Sequence, residues 1–193
     1  MKPLQVHTLE SAPAGSKPTL EKVQGAFGIV TNLMGIFAES PAVVEGVFTL
    51  FGLLGQGSLT PVEQQVVAIT ASRDNGCHYC VSAHSTLALG AMMDAAELSA
   101  LRDGQPLSNP KHEALRQFTR ILMKEQGWPS PQELESFSAA GYNRAQLLEV
   151  IAWIGLKVIT NYTNHIAHTP VDQIFTGQLW SAEAKPALHS LAV

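Results

Sequence analysis

The stretch 59-LTPVEQQVVAITASRDNGCHYCVSAH-84 predicts two consecutive helices joined by a short break, and it contains both cysteines of the chain. Thr60-Pro61 places a capping hydroxyl directly before a proline, which the first helical position tolerates. Asn75-Gly76 breaks this helix, so that Cys77 is expected in the first turn of the next one. Positions 77, 80 and 84 then share one face, because residues three and four apart are neighbours on a helix.

Helix signals of the same kind recur along the chain, where Ser40, Asn109 and Ser130 each stand directly before a proline. Apolar residues recur at helical spacing between these marks, and no alternating run is long enough to predict a strand. We therefore predict an all-α fold in which the last helix, apolar on most sides, is central. The predicted helices, about eight in number, span residues 20–39, 41–54, 61–75, 77–90, 94–103, 110–126, 131–140 and 144–168.

The composition limits the domain organisation and the classes of partner. Residues 1–18 lack periodicity and predict an extended arm before a single helical domain at 19–193. Charged residues make up 15% of the chain, below the ~25% of average domains, which favours a homo-oligomer. The net charge of −4, without a run of Lys or Arg, predicts neither nucleic acid nor a membrane as a partner. No apolar secretory or membrane-spanning segment is recognisable, which predicts a cytoplasmic protein.

Cys77 and Cys80 form a C-x2-C pair with His84 four residues further on, and three interpretations are open. The cysteines can simply pack in a core. They can bind zinc, although no second C-x2-C or finger-spaced histidine pair follows; further candidate ligands are His78, His165 and His168. They can form a reactive dithiol, because amides at a helix start and a nearby imidazole favour the nucleophilic thiolate. The third interpretation fits the spacing best.

These residues resemble the alkylhydroperoxidase AhpD-like group of the carboxymuconolactone decarboxylase superfamily, whose pattern is a Glu on one helix and C-x-x-C-x-x-x-H on the next. FGIVTNLMGIFAESPAVVEGV at 27–47 and NYTNHIAHTPVD at 161–172 look like segments of its longer, peroxidase-related members. The resemblance implies an all-helical enzyme, trimeric or hexameric, with peroxiredoxin-type activity. It implies a hydroperoxide substrate, an external dithiol as electron donor, and neither a cofactor nor a metal.

By this resemblance, Cys80 is the thiol that attacks the peroxide, Cys77 is the resolving thiol, and His84 belongs to the proton relay. The helix dipole alone would favour Cys77 as the more acidic thiol, because it lies nearer the helix start. Pairing with a charged histidine depresses a thiol pKa further, which favours Cys80.

The sequence departs from the family pattern in the relay. Gln65 occupies the usual position of the relay carboxylate, and it can orient His84 but cannot accept a proton. The nearest acid is Glu63, ~200° away around the helix, which can serve the relay or close a capping box with Thr60.

Two further residues are candidates for the surroundings of the dithiol. Tyr79 stands where AhpD itself has a relay histidine, and it can supply a hydroxyl or merely pack. His165 is the best candidate on the late helix, with a polar seam as the alternative interpretation. Other functions stay open: a protein disulfide reductase, a redox sensor, or an oligomeric module that binds a small molecule or a metal without peroxidase activity.

Overall fold

The computed structural model describes residues 3–181, and these residues are entirely helical and irregular, without a strand. The eight helices of nine or more residues in this part of the chain confirm the predicted all-α fold. The helices are α1 (Lys17–Phe27), α2 (Asn32–Phe37), α3 (Pro41–Gly55), α4 (Pro61–Asp74), α5 (His78–Gly90), α6 (Ala95–Asp103), α7 (Pro110–Lys124), α8 (Pro131–Ala139) and α9 (Arg144–Ala167). Short 3₁₀ turns lie at Ala14–Ser16 and Gln173–Gln178.

Ser, Thr or Asn residues before prolines mark the starts of four helices, and three of them cap the helix. Thr60, Asn109 and Ser130 accept hydrogen bonds from amides of the first turns of α4, α7 and α8. Ser40 precedes α3 without making such a bond. These side chains satisfy amides that have no partner inside the helix, which fixes where each helix begins.

The prediction of one helix over 20–39 is wrong, because the chain breaks there into α1 and α2. Gly28 ends α1 with φ +77°, and its amide donates to the Gln24 carbonyl at 2.8 Å. A left-handed residue after the last helical turn stops the helix, and glycine adopts that conformation without a steric penalty. α2 begins four residues later and contributes wall residues to the functional site.

α4 is the most deeply buried helix, whereas α9, which the sequence predicts to be central, packs against α2, α3, α4, α5 and α7 but leaves one face exposed. Residues 63–72 of α4 are all buried, and this helix packs against α5, α6, α7 and α9. α9 has an outer face with exposed apolar side chains at Leu148, Ile151, Ile159, Tyr162 and Ile166. α9 is apolar on most sides, but the other helices of this chain bury only part of that apolar surface.

Segments before α1 and after α9 pack on the helices. The His7 amide donates to the Gly35 carbonyl at 3.2 Å, and the Ser16 hydroxyl donates to the Ala38 carbonyl at 2.7 Å. The turn Gln173–Gln178 packs on α5. Residues 182–193 of the predicted domain lie outside the described residues, and no helix within 3–181 is long and apolar enough to cross a bilayer.

The junction between α4 and α5 positions the two cysteines. The Cys77 amide donates to the Ser72 carbonyl and the Gly76 amide to the Arg73 carbonyl, both at 2.8 Å. This pair of bonds is a Schellman motif, which requires a left-handed residue, and Gly76 has φ +73°. The motif therefore places Cys77 directly before the first residue of α5.

We expect Gly76→Ala to lower the free energy of unfolding by about 1–2 kcal/mol, because an L-residue resists the left-handed conformation. No atom lies within 4 Å of the added Cβ, so the loss is conformational. Chemical denaturation at one fixed protein concentration measures it.

Gly46→Ala is the matched control, because Gly46 lies inside α3 with equally open space around its Cβ. This change should raise the free energy of unfolding by about 0.5–1 kcal/mol. Shifts of the same sign in both variants would contradict the conformational argument.

Candidate active site

The two sulfurs lie side by side under α9. Cys77 is the N-cap of α5 and not a first-turn residue as predicted, and Cys80 lies one turn further on. Their side chains are free thiols, exposed by only 1% and 2%. Asn164 Nδ2 on α9 lies 3.2 Å from the Cys80 sulfur and 3.7 Å from the Cys77 sulfur. One amide group therefore donates towards both sulfurs.

The surroundings of the thiols give them opposite acidities. The hydrogen bond with Cys80, together with burial, raises the pKa of Cys77 far above its usual range. Burial also opposes ionisation of Cys80, but the hydrogen bond from Cys77 and the charge of Lys157 outweigh it and lower its pKa to about 5. Cys80 is therefore the more acidic of the two thiols.

His84 is fixed between an amide and an ammonium group. Its Nδ1 lies 2.8 Å from Gln65 Oε1, and its Nε2 lies 2.5 Å from Lys157 Nζ. An amide oxygen can only accept, so Nδ1 carries the proton and Nε2 accepts from Lys157. Burial and then the Lys157 charge lower the pKa of His84 well below its ordinary value. The imidazole is therefore neutral, and it does not supply the positive charge that the sequence interpretation placed beside the thiol.

Lys157 is the cation of the site. It lies in the middle of α9 with 3% exposure. Burial lowers its pKa, whereas the neighbouring Cys80 and Cys77 act in the opposite direction. A buried ammonium and a buried thiolate stabilise each other's charged form. The pair Lys157–Cys80 therefore replaces the expected pair of histidinium and thiolate.

A cavity of about 100 Å³ opens beside Cys80. Its reactive end is formed by Cys80, His84 and Lys157, and Cys77 is not part of the lining. Most of the remaining wall is apolar, with five aromatic rings contributed by Phe27, Phe48, Phe51, Tyr79 and Phe175. A small molecule in this cavity meets Cys80 first, while Cys77 lies behind it.

The segment that carries this site can be compared with known proteins. Residues 41–109 match the model of the carboxymuconolactone decarboxylase family. The match runs from the start of α3 to the residue before α7, and it includes the C-x2-C pair and His84. The resemblance inferred from the sequence is thereby confirmed. No curated protein matches the chain significantly.

Solved structures with this fold cover nearly the whole chain. An alkylhydroperoxidase AhpD core, an uncharacterized peroxidase-related protein from Ralstonia eutropha JMP134, gives a TM-score of 0.78 at 18% identity, over 91% of this chain and 96% of its own. An uncharacterized peroxidase-related protein from Silicibacter sp. TM1040 gives 0.76 at 19% identity, over 92% and 98%. A variant of the debrominase Bmp8 in complex with 2,3,4-tribromopyrrole gives 0.74 at 14% identity, over 92% and 96%. These likenesses establish the fold of the chain and nothing beyond it.

Glu63 makes the contacts of a helix cap. Its carboxylate accepts from the Thr60 amide at 2.8 Å, and its other oxygen lies 2.8 Å from Lys111 Nζ. Burial opposes ionisation of Glu63, but these bonds prevail and lower its pKa. The structure therefore supports the capping alternative for Glu63 and gives it no bond to the thiols or to His84.

Tyr79 lies in the cavity wall with its hydroxyl directed away from the sulfurs. It donates to Asp172 Oδ2 at 2.5 Å, and its ring packs edge-on against Phe175. Burial, together with Asp172, raises the pKa of Tyr79. The expected hydroxyl for the relay is thus committed to anchoring the segment that follows α9.

His165 is not the late-helix residue that meets the dithiol. It is exposed, and its ring stacks on Tyr162 with 6.4 Å between centroids. Its neighbour Asn164 occupies the position that the sequence interpretation gave to His165. Within residues 3–181, no group of three or more His, Cys, Asp or Glu side chains is arranged to hold a metal ion.

Sequence reasoning missed two residues of the site, Lys157 and Asn164. Lys157 carried a usable signal, because it is the one charged residue in the run LLEVIAWIGLKVITNY of 147–162 besides Glu149. A charge inside an apolar helix is almost never buried unless it is paired. Asn164 carried no such signal, since nothing in the sequence distinguishes it from Asn161.

We expect Asn164→Asp to slow alkylation of Cys80 by iodoacetamide at pH 5 at least about 5-fold, because a carboxylate beside the sulfur disfavours the thiolate and raises its pKa by about one unit or more. Asn164→Leu removes the hydrogen-bond donor without adding a charge, so we expect a smaller decrease in the alkylation rate of Cys80. Alkylation rates against pH, measured by mass spectrometry, report both effects as an increase in the thiol pKa.

Asn109→Asp is the control for this comparison. Asn109 caps α7, a role that aspartate fills equally well, and its side chain bonds only to Lys111 and His112 amides. An unchanged alkylation profile in Asn164→Asp would show that the Asn164 amide does not stabilise the thiolate.

Proposed function

We propose that this protein is a dithiol peroxidase that reduces small organic hydroperoxides. The observation that carries the proposal is the position of Cys80 in the wall of an apolar cavity, with buried Lys157 in the same wall and Cys77 outside the lining. The thiolate is the form of cysteine that attacks a peroxide. The family match and the peroxidase-related proteins of the same fold support this choice of reaction.

In the proposed reaction, the Cys80 sulfur attacks the distal oxygen of the hydroperoxide. An S–O bond forms, the O–O bond breaks, and the alcohol leaves after it takes up one proton. The Cys77 sulfur then attacks the resulting sulfenic acid, an S–S bond forms, and the hydroxyl leaves with the Cys77 proton as water. An external dithiol reduces the disulfide and is itself oxidised to a disulfide.

The same geometry argues against a protein disulfide as the preferred substrate. Both sulfurs are nearly inaccessible, and the space beside Cys80 holds about 100 Å³. A sulfur of a protein disulfide would have to enter this cavity to be attacked. Small peroxides need no such opening.

A halogenated aromatic compound is the second candidate substrate. The debrominase shares the fold, and the aromatic wall of the cavity suits a flat apolar ring. In this reaction the Cys80 thiolate would take the halogen from carbon, the ring carbon would take a proton, and Cys77 would displace halide to form the disulfide. Hydroperoxides remain the first choice because of the peroxidase-related proteins of the same fold.

We also propose that the protein works as a homo-oligomer in the cytoplasm. The exposed apolar stripe of α9 and the low share of charged residues favour association of copies through this face. A trimer or hexamer, as the family resemblance implies, would bury that stripe. The cytosol keeps thiols reduced, which the proposed cycle needs.

We expect Cys80→Ser to abolish peroxide consumption in the presence of a small dithiol reductant. Cys77→Ser should react once and stop, because the sulfenic acid on Cys80 then has no resolving thiol. A dimedone adduct on Cys80 detected by mass spectrometry identifies this intermediate. Sustained peroxide turnover by Cys80→Ser would contradict the proposal. A dimedone adduct on Cys77 would show that Cys77 attacks the peroxide and Cys80 is the resolving thiol.

The pH dependence of the reaction follows from the acidity of Cys80. Because its pKa is lowered to about 5, the thiolate is fully formed above that pH and is lost as the pH falls through it. We expect the second-order rate with peroxide to be flat between pH 6 and 8 and to fall about 10-fold per unit below 5. Stopped-flow oxidation of the reduced protein measures it. A rate that still rises steeply above pH 7 would contradict this order of acidities.

A further inference from the structure

We propose that Lys157 is the catalytic acid of the site, which gives its proton to the oxygen that leaves when Cys80 attacks a hydroperoxide. This role rests on the proposed function, and it departs from the relay of carboxylate and histidine that the sequence interpretation assigned. It follows from the position of the Lys157 ammonium between His84 and the cavity.

The geometry directs Lys157 towards the reaction. Its Nζ is held 2.5 Å from His84 Nε2, which accepts one of its three N–H bonds. Gln65 fixes the tautomer that makes this possible, by accepting from His84 Nδ1 at 2.8 Å. Lys157 itself lines the cavity beside Cys80, next to the space where a peroxide would have to lie for attack by the Cys80 sulfur.

The other candidates for the acid are committed elsewhere. The Nδ1 proton of His84 is bound by Gln65, and Gln65 has no acidic proton to give. The Tyr79 hydroxyl donates to Asp172. Glu63 is bound in the α4 cap with Lys111.

The groups facing Lys157 also leave it as the source of the proton. From α5 it faces Cys77, Cys80 and His84, and the cavity walls contributed by α1, α2 and α3 carry only uncharged side chains. No carboxylate lines the cavity in the described part of the chain. The ammonium is therefore balanced by the Cys80 thiolate alone.

Proton and charge balance tie the two residues together. Before the reaction the site holds a thiolate and an ammonium. When the Cys80 sulfur takes the distal oxygen, the leaving alkoxide takes a proton from Lys157, which leaves a sulfenic acid, an alcohol and a neutral amine. The buried site is thus neutral overall before and after the O–O bond breaks.

Reduction restores the pair by the reverse transfer. An external dithiol gives two electrons and two protons to the Cys77–Cys80 disulfide. One proton stays on Cys77, and the other ends on Lys157 when Cys80 ionises. Lys157 is therefore recharged in each cycle by the reductant.

The experiment separates the acid role of Lys157 from its effect on thiol ionisation. Lys157→Met has similar length and no proton, and Lys157→Arg keeps the charge but cannot give up a proton in this pH range. Lys124→Met is the control, because the Lys124 side chain is 84% exposed and pairs with Glu125 on the surface. Each reduced protein is tested with iodoacetamide, a peracid and an alkyl hydroperoxide.

The three reagents differ in what the leaving group needs. Iodide and carboxylate leave without a proton, whereas an alkoxide needs one. In Lys157→Met we expect alkylation at pH 7 to fall about 30-fold or more, as the thiol pKa returns to ~8.5 or above. At a pH where the thiolate is fully formed, alkylation and peracid rates should recover to within a few-fold of native. The rate with the alkyl hydroperoxide should stay at least about 100-fold below that of the native protein.

Lys157→Arg should keep rapid alkylation at pH 7. Its rate with the alkyl hydroperoxide should fall as far as in Lys157→Met. Circular dichroism checks the fold of each variant, and either variant alone can decide the question. Equal losses with the peracid and the alkyl hydroperoxide at full ionisation would overturn the acid role, because Lys157 would then act on the thiol only. A native protein that alkylates rapidly but reacts with neither peroxide would overturn the proposed function itself.

Discussion

Lys157 is buried in the middle of α9, and an unpaired ammonium there would destabilise the fold by several kcal/mol. The Cys80 thiolate offsets this cost, and His84 accepts one of the ammonium donors. The two charges therefore form and disappear together. Ionisation of the Cys80 thiol is therefore coupled to the charge of a lysine buried in the helix bundle.

The helix junctions explain how this pair is held. The Schellman motif at Gly76 places Cys77 at the N-cap of α5, so Cys80 comes one turn later, facing α9. Asn75 Nδ2 donates to Asn161 Oδ1 at 2.9 Å, which ties the junction itself to α9. Three turns of α9 then present Lys157, Asn161 and Asn164 to the same small region. A shift of α9 along α5 would separate the cation, the amide donor and the sulfurs at once.

Much of the fold and part of the site can be predicted from the sequence, for identifiable reasons. Ser, Thr or Asn before proline fixes helix starts locally, and C-x-x-C-x-x-x-H within one helix fixes the relative positions of three side chains. The break at Gly28 was missed because a lone glycine can also be tolerated inside a helix. These failures and successes all concern short-range information.

Long-range placement could not be predicted in the same way. Consecutive residues of a helix point about 100° apart, so the choice between Asn164 and His165 depends on how α9 is rotated against α5. A helix that is apolar on most sides leaves this rotation undetermined. The pairing of Lys157 with Cys80 depends on the same rotation. It follows from the packing of α9 on α5 and from neither helix alone.

The glutamine at position 65 is consistent with a lysine at the centre of the site. A carboxylate there would accept from His84 Nδ1 and raise the pKa of the imidazole, which favours a second positive charge directly beside Lys157. Gln65 makes the same hydrogen bond without this effect, and the imidazole stays neutral and accepts from the ammonium. Gln65 therefore keeps His84 as an acceptor for Lys157, and in the proposed mechanism the leaving group takes its proton from Lys157 without a relay carboxylate.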